Sequence, residues 1–416
     1  MHKITHNWSE QFAFGALSSH FPADIPALQE LVRQTPKLRV AGARHSFNDI
    51  VDTPGAILSL RGLERRIRID AAARTVTVDG GTTYAELCPV LDAAGWALFN
   101  LPSIPDFTIV GAVSTATHGS GDGNRNLASS VAALDIVTAT GDIVQLRRGE
   151  PDFDGAVVSL GALGVVVSLT LDLVPRFDIR QSVYHKLPFD DVVGNFDAVM
   201  GSAYSLSLFT HWNGDLVDQA WLKQREGETA PPTLFGGQPA PGESSPVWGK
   251  DPAGTTAQQG VAGTWYDRLP HARIGAIPAI GYEYQAEYFV ARADAPAAMR
   301  AIKAIEAALH PALVVSEIRT IKGDEFWLST NHGADSVGFH FSLVRDWAVV
   351  RPALLALEAA LAPFKPRPHW GKLYVLPPSA VMPLYPRLEA FRALAARHDP
   401  AGKFRNTYLD RFIFGA

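Results

Sequence analysis

The spacing of apolar and polar residues predicts a mixture of short strands and helices in the first part of the chain. Apolar positions at helical spacing predict a helix over residues 26–34. The apolar run Leu38–Ala41 after it is typical of a strand. Further strands are predicted at Ala56–Leu60, Ile67–Ile69, Thr75–Val78, Leu134–Ala139, Ile143–Leu146 and Val165–Val174.

Two local signals fix boundaries in this region. Thr83 and Glu86 have the spacing of a capping box, and Gly95 is placed to end the helix that the box begins. Thr140-Gly141-Asp142 separates two of the predicted strands and indicates a hairpin.

The pattern changes from Phe177 onward. Residues 224–263 are rich in Gly, Pro, Ser and Thr, and this is too long for an ordinary connection, so a surface excursion or lid is expected. Strands are predicted at Tyr282–Val290, Leu313–Ile321, Ser336–Leu343 and Gly371–Leu376, with helices at Asp294–Leu309 (Asp294 as N-cap), Arg351–Leu361 and about Pro383–Arg397. The fold class expected is α+β, with an antiparallel sheet in the second part.

Four of these later strands each carry a polar face. Glu317 and Arg319 alternate with apolar residues, and His340 and Ser342 alternate with phenylalanines. The six polar positions are Gln285, Glu317, Arg319, His340, Ser342 and Lys372. A solvated face is one explanation. A polyol is the other, because many hydroxyl groups need both donors and acceptors at fixed positions.

Two loops of small residues each contain a histidine. Gly42–Asn48 follows a predicted strand, and residues 111–123 read GAVSTATHGSGDG. Neither is a phosphate-binding P-loop or a dinucleotide fingerprint. Plain turn chemistry would explain either loop alone. Together they predict a large, phosphate-bearing cofactor held by backbone N–H groups.

Composition and charge exclude several classes. The 416 residues favour two domains, and 47% apolar residues are enough for sizeable cores. A net charge of −5 with no basic block argues against nucleic-acid binding. The single Cys88 excludes an intrachain disulfide and fits a reducing compartment. No signal peptide, membrane-spanning helix or metal is expected, which favours a cytoplasmic protein.

Five motifs fall in the order found in one enzyme family. They are RHSFN at 44–48, THGSG at 117–121, GALGVV at 161–166, HWGK at 369–372 and DPAGKFRN at 399–406. Together they resemble the alditol oxidases, which include xylitol oxidase-like proteins, in the vanillyl-alcohol-oxidase (PCMH-type) superfamily of FAD enzymes.

The resemblance implies a two-domain fold that binds FAD. Residues 1–178 would form the FAD-binding domain, 179–372 the substrate (cap) domain, and 373–416 a segment returning to the FAD domain. His45 would be bonded covalently to the flavin 8α-methyl group, which raises the flavin's redox potential. The other implied cofactor residues are Ala43, Arg44, Ser46, Phe47, Ser103, Thr108, Gly111, Ser114, Thr115, Ala116, Thr117, His118, Gly119, Val165, Val166 and His369. His369 could equally be structural, and Tyr408 is a further cofactor-side candidate.

The implied reaction is oxidation of the C1 hydroxyl of an alditol such as xylitol or sorbitol. Hydride would pass to flavin N5, and O2 would reoxidise the flavin and give hydrogen peroxide. The implied catalytic residues are Lys372, Arg319, Glu317 and His340, and Ser103, Gln285 and Ser342 would hold further hydroxyls. Whether His340 or Lys372 takes the proton is left open. A monomer without nucleic-acid or membrane partners is expected.

Departures from the family pattern leave alternatives open. Pro102 stands where family oxidases often carry Ala or Gly, which raises the question of oxidase against dehydrogenase. Ala43 and Asp106 also differ from the family pattern. An aldonolactone oxidase or dehydrogenase shares the HWGK and Glu-x-Arg features. A non-catalytic sugar-binding flavoprotein would be expected to lack Lys372 or the Glu317/Arg319 pair.

Overall fold

The first part of the chain builds three small sheets. The structure, a computed structural model, describes residues 3–276 and 283–415. The strands of this part are β1 (Ser18–His20), β2 (Leu38–Val40), β3 (Ala56–Leu58), β4 (Ile67–Asp70), β5 (Thr75–Asp79), β6 (Trp96–Ala97), β7 (Gly121–Arg125), β8 (Val131–Val137), β9 (Ile143–Arg147), β10 (Val165–Asp172) and β11 (Val174–Pro175). Strands β1, β3 and β2 form a parallel sheet, and β4-β5-β10-β8-β9 form an antiparallel one. Strand β6 pairs with β11.

The helices of this part begin where the sequence provides caps. They are α1 (Ile25–Gln34), α2 (Tyr84–Ala93), α3 (Ile109–Ser114) and α4 (Phe153–Val157). Asp24 caps α1, and Thr83 and Glu86 form the predicted capping box of α2. Gly95, at φ +80°, follows α2 as predicted. The hairpin between β8 and β9 is also confirmed, with Gly141 at φ +82°.

The second part of the chain is organised around one large sheet. Its strands are β12 (Asp178–Pro188), β13 (Ser205–Thr210), β14 (Leu216–Arg225), β15 (Gln238–Pro239), β16 (Ala262–Thr264), β17 (Tyr284–Ala291), β18 (Leu313–Lys322), β19 (Ser336–Leu343) and β20 (Arg367–Pro368). Their order is β15-β12-β14-β13-β18-β19-β17-β20, with β16 beside β12. Strand β7 joins the sheet through a parallel pair with β18. The α+β class predicted from the sequence is confirmed.

The two faces of this sheet differ in chemistry. One face packs on helices and buries residues such as Leu208, Ile318 and Phe339. The other face carries polar residues such as Ser207 and Glu317, which alternate with the apolar ones along each strand. The helices of this part are α5 (Phe189–Gly194), α6 (Phe196–Met200), α7 (Ala295–Lys303), α8 (Glu306–Leu309) and α9 (Trp347–Leu361).

The two groups of strands define two lobes. We call the part that carries β1–β11 the first lobe and the part that carries β12–β20 the second lobe. The final helices are α10 (Pro378–Val381), α11 (Leu388–His398) and α12 (Thr407–Leu409), and their apolar residues join the core of the first lobe. The domain boundaries at 178 and 372 stay a prediction.

The predicted strand Gly371–Leu376 is wrong. Lys372 N donates to the carbonyl of His369 (3.0 Å), which makes a turn. Leu373 N then makes a single bond to the carbonyl of Gln285 (2.8 Å), and Val375 N donates to the Glu358 carboxylate (2.7 Å). The backbone donors are therefore used before a ladder can form.

Three predicted helices differ from those observed. The helix predicted from Asp294 to Leu309 is divided into α7 and α8, and the Asp294 side chain caps neither. Helix α9 begins earlier than predicted, because Asp346 caps it. The last long helix begins at Leu388 rather than about Pro383, because Pro386 restricts the residue before it. The start of the strand predicted from Tyr282 lies outside the described residues.

The expected surface excursion is only partly on the surface. Ala240 N donates to the carbonyl of Val183 on β12 (2.8 Å), and Thr256 and Gln258 are buried. Gln181 Nε2 of β12 donates to Thr256 O (3.2 Å). The segment therefore covers the polar face of the large sheet at β12, instead of projecting into solvent.

Helix α9 and the turn after it form a long apolar segment that was not predicted from the sequence. Residues Trp347–Phe364 have a mean hydropathy of 1.4 over 18 residues, long and apolar enough to cross a membrane by length and composition. A core helix passes the same test, so one such helix is weak evidence. Val350, Leu354 and Leu357 of α9 are buried in the core of the second lobe.

Candidate functional site

A large cavity lies where the small-residue loops of the first lobe face the polar side of the large sheet. Its volume is about 1750 Å³ when the space open to solvent is included. The lining joins the small-residue segments of the first lobe to the charged strand faces of the second, so a cofactor and a substrate would meet in one cavity. One part is lined mainly by backbone and small side chains, and the other by charged side chains.

The loop Gly42–Asn48 supplies one wall. Within the described residues, the N–H groups of residues 42–46 donate to no protein acceptor. Arg44 has φ +66°, which turns the chain sharply after β2. A Cβ on Gly42 would lie 2.2 Å from Thr108 Oγ1, so only glycine lets the two loops approach this closely.

The segment 111–123, predicted as a loop, begins in helix α3 and ends in strand β7, so only its middle part is a loop. It continues the same wall: a Cβ on Gly111 would lie 2.7 Å from Thr108 Oγ1. Ser114, Thr115 and Thr117 line the cavity beyond it. Leu160 at φ +54° and Gly161 at φ +68° bring a third turn to the same wall. Free N–H groups and glycines that a side chain would clash with fit the phosphates of a dinucleotide cofactor.

His45 lies between two aromatic rings beside this wall. Its ring stacks on Trp8 (4.5 Å between centroids) and contacts Phe107 (4.6 Å). Burial lowers the pKa of His45 to about 3, and the charge of Arg44 acts in the same direction. The imidazole is therefore neutral, and its nitrogens bond to no other described residue.

Most residues predicted for the cofactor side do line the cavity. Those that do are Ala43, Arg44, His45, Ser46, Phe47, Ser103, Thr108, Gly111, Ser114, Thr115, Thr117, His118, Val166 and His369. Ala116, Gly119 and Val165 lie behind the lining, and the side chain of Val165 packs in the core. Tyr408 also lies behind it, where its hydroxyl donates to the carbonyl of Trp370 (2.9 Å).

A carboxylate that the sequence analysis did not select, Glu287, organises the charged end. Its Oε1 accepts from Arg319 Nη2 (2.7 Å) and lies 3.1 Å from His118 Nε2, and its Oε2 accepts from Lys372 Nζ (2.7 Å). The Glu287 side chain has no exposed surface. Burial alone would raise its pKa, but Lys372, His118 and Arg319 together hold the pKa well below its usual range.

Glu317 and Arg319 lie side by side on β18, as the alternation predicted. Glu317 Oε1 is 3.6 Å from Arg319 Nε, and Arg319 Nη1 donates to Ser103 Oγ (3.2 Å). Burial opposes the charge of Arg319, but Glu317 and Glu287 raise its pKa. Arg319 therefore links the loop of Ser103 to both carboxylates.

A chain of polar groups runs across β17 and β19. Gln285 Nε2 donates to Glu283 Oε1 (2.8 Å), so the Gln285 oxygen accepts from His340 Nε2 (3.2 Å). This places the lone pair of the His340 ring on Nδ1. Burial lowers the pKa of His340 to about 3, and Lys372 contributes in the same direction. Ser342 is buried beside Gln285 in the pairing of these strands but does not line the cavity.

The turn after β20 presents Lys372 and His369. His369 Nδ1 accepts from Gly371 N (3.0 Å), so the ring shapes the turn as well as lining the cavity. Burial lowers the pKa of Lys372, whereas Glu287 raises it. Lys372 thus lies on the polar side of the sheet, as predicted, although a turn and not a strand places it there.

Sequence reasoning missed several cavity residues. Glu287 shares a strand face with Gln285 at a spacing of two, so the same alternation could have found it. Trp8, Arg39 and Arg61 reach the cavity from separate segments, and no local pattern marks them. Nor does any pattern mark His271, whose Nε2 lies 2.7 Å from Glu317 Oε1.

The fold and the cavity define a flavoprotein of the vanillyl-alcohol-oxidase type. Residues 20–147 match the family described as FAD binding domain, and residues 282–412 match D-arabinono-1,4-lactone oxidase. An alditol oxidase from a Streptomyces species is 42% identical over 98% of this chain and 99% of its own. The chain therefore belongs to the alditol oxidase family and is an FAD-dependent enzyme.

More distant relatives include lactone-oxidising enzymes. L-gulono-1,4-lactone dehydrogenase of Mycobacterium tuberculosis is 28% identical over 99% of this chain and 100% of its own. Bovine L-gulonolactone oxidase is 25% identical over 98% of both chains. Among solved structures, a cholesterol oxidase from B. sterolicum superimposes with a TM-score of 0.79 at 14% identity, over 99% of this chain and 97% of its own. That likeness shows the fold alone.

Proposed function

We propose that this enzyme oxidises the terminal C1 hydroxyl of an alditol such as xylitol or sorbitol to the aldose, with FAD bound covalently through His45. The observation that supports this most is the arrangement around Glu287. Two cations, Lys372 and Arg319, are held at the cavity by one buried carboxylate, beside uncharged donors and acceptors. Such a surface suits a neutral ligand with several hydroxyls.

Each polar side chain of the cavity has its own role in the proposed reaction. Lys372 and Arg319 stabilise negative charge that develops on the substrate oxygen. Glu317 accepts from a hydroxyl through its free Oε2, and Gln285 and Ser103 orient others. His340 can accept a proton on Nδ1. Because its pKa is low, His340 passes that proton on as a relay and does not retain it. FAD held by the cofactor-side residues would supply the hydride acceptor, and O2 would be the final electron acceptor, reduced to hydrogen peroxide.

The environment of His45 supports a covalent flavin. A neutral ring with a free nitrogen is the nucleophilic form of histidine, and Trp8 and Phe107 fix its orientation. Acid precipitation of the purified protein tests this directly. A yellow pellet is expected from wild type and a colourless one from His45→Ala. A colourless wild-type pellet contradicts covalent attachment.

Substrate assays test the reaction. Xylitol and sorbitol are expected to bleach the flavin without oxygen, and to consume oxygen and yield hydrogen peroxide in air. Flavin that is bleached by neither alditol contradicts the proposal.

A lactone substrate is the second candidate. It is favoured by the match of residues 282–412 to D-arabinono-1,4-lactone oxidase and by the lactone-oxidising relatives. Bleaching by aldonolactones and not by alditols would establish it.

Dehydrogenase activity is a separate alternative that Pro102 raises, because Pro102 is buried in the cavity lining beside Ser103. Bleaching by xylitol with slow reoxidation in air would identify it. Pro102→Gly is then expected to speed the reoxidation.

A further inference from the structure

A second group of largely buried polar residues lies behind Glu317, away from the cavity. It consists of Lys223 on β14, which is buried, and His271, which follows the long excursion and whose side chain is 13% exposed. Lys223 is only 1% exposed and His271 lies on a loop that also contacts the Ser103 loop. Neither residue has a place in the reaction described above, yet both are connected to Glu317.

The bonds of Lys223 determine which nitrogen of His271 carries the proton. Lys223 Nζ donates to the carbonyls of Leu269 and Pro270 and to His271 Nδ1 (3.2 Å). These three acceptors match the three protons of an ammonium group. Because Nδ1 accepts, the ring proton is on Nε2, and it is donated to Glu317 Oε1 at 2.7 Å.

Packing holds the imidazole in this orientation. The ring of His271 contacts the edges of Phe209 (5.4 Å) and Trp221 (5.5 Å). Ser207 Oγ lies 3.5 Å from the same Nε2. The backbone N–H groups of His271 and Ala272 both donate to the carbonyl of Ser103 (3.1 and 3.2 Å). One loop therefore fixes both Glu317 and Ser103.

The consequence for Glu317 is that its two oxygens have different tasks. Oε1 is occupied by His271 and lies beside Arg319, whereas Oε2 bonds to no other described residue. We propose that Lys223 and His271 are positioning residues, which hold Glu317 with Oε2 directed to a substrate hydroxyl and thereby set the affinity for the polyol. The substrate part of this inference rests on the proposed function.

The charge of Lys223 also predicts that the affinity for the polyol depends on pH. Burial lowers the pKa of Lys223 to about 7, with Glu317 opposing the shift and Arg319 reinforcing it. His271 is the other titratable group in contact, and burial lowers its pKa to about 4. As pH rises above about 7, Lys223 loses its proton, can no longer donate three bonds, and the His271 proton is free to move to Nδ1.

Stopped-flow reduction of the flavin by xylitol, without oxygen, tests the arrangement. Lys223→Met and His271→Leu are each expected to raise the half-saturating xylitol concentration roughly tenfold, the value of one charge-assisted hydrogen bond, with the limiting rate changed less than about threefold. His271→Gln should restore most of the affinity, because its amide can donate to Glu317. The rise in half-saturation above about pH 7 should be absent in Lys223→Met.

Lys403→Met is the matched control, since Lys403 is also buried and donates to backbone carbonyls but contacts neither histidine nor glutamate. Half-saturation in Lys223→Met equal to that of the control would overturn the proposal. Wild type that xylitol does not reduce would instead contradict the proposed function.

A measurement without substrate keeps the two failures distinct. Nitrogen NMR of labelled histidines, with His271→Gln to assign the signal, should show the proton of His271 on Nε2 in wild type. A proton on Nδ1 would overturn the proposal whatever the substrate.

Discussion

Lys372 is positioned by a turn and a buried carboxylate, not by a strand. Its contact with substrate oxygen would be stronger in the transition state than in the ground state, so its loss should mainly affect the rate. Lys372→Ala is expected to slow anaerobic flavin reduction by roughly 10²–10³ while FAD stays bound. Stopped-flow measurement at saturating polyol checks this, with the exposed Lys322→Ala as control. A wild-type rate with weaker binding would make Lys372 a binding residue.

Glu287 makes the stability of the folded protein depend on pH. Its pKa is held below the ordinary value of 4.5, so its contribution is present above that pH and is lost as pH falls. The melting temperature of wild type should therefore drop as the pH falls below about 4.5, and it should keep dropping toward the lower pKa of the folded state. Glu287→Gln should melt lower near neutrality but with a shallower slope. Glu226→Gln, at an exposed position, should follow wild type. Equal slopes for wild type and Glu287→Gln would contradict this.

At the scale of elements, Arg39 joins four chain segments through one side chain. All five of its N–H groups donate to carbonyls, those of Ile50, Leu160, Gly161 and Phe404. Burial lowers its pKa to about 10, and no carboxylate of the described residues is bonded to it. Arg39 therefore fixes the third turn of the cofactor wall to β2 and to the C-terminal segment.

Replacing Arg39 leaves several buried carbonyls without donors. Arg39→Met is expected to lower the free energy of unfolding by about 3 kcal/mol or more, and Arg39→Lys by less. Denaturant unfolding monitored by flavin fluorescence measures this. Arg33→Met, on the exposed side of α1, serves as control. Equal stability of Arg39→Met and this control would show that water replaces the lost donors.

Elements whose signals are local could be predicted from the sequence. The capping box at Thr83 and the hairpin at Gly141 depend on neighbouring residues, and both are present. The polar faces of β17, β18 and β19 followed from alternation, which brought Glu317, Arg319 and His340 to one cavity. The turn at Lys372 and the approach of His271 depend on contacts between distant segments, so no period in the sequence encodes them.

At the scale of the whole molecule, the cavity lies between the lobes, so a bound cofactor stabilises both. His45→Ala should hold FAD reversibly, and its melting temperature should then rise with added FAD. The gain is about 2.7 kcal/mol at a hundredfold excess over Kd. Wild type should be indifferent to added FAD. A scan of melting temperature against FAD concentration checks this, and a flat profile for His45→Ala contradicts it.

The loop that contains His45 is bonded to a segment more than 320 residues away. Asn48 Nδ2 donates to the carbonyls of Trp370 and Lys372 (both 2.8 Å), and Phe47 N donates to the carbonyl of Gly371 (2.7 Å). During synthesis, His45 leaves the ribosome early, but these acceptors appear only when nearly the whole chain has been made. With the proposed covalent bond through His45, flavin attachment would therefore be a late step of maturation, and an acid-stable yellow colour would mark molecules that have finished folding.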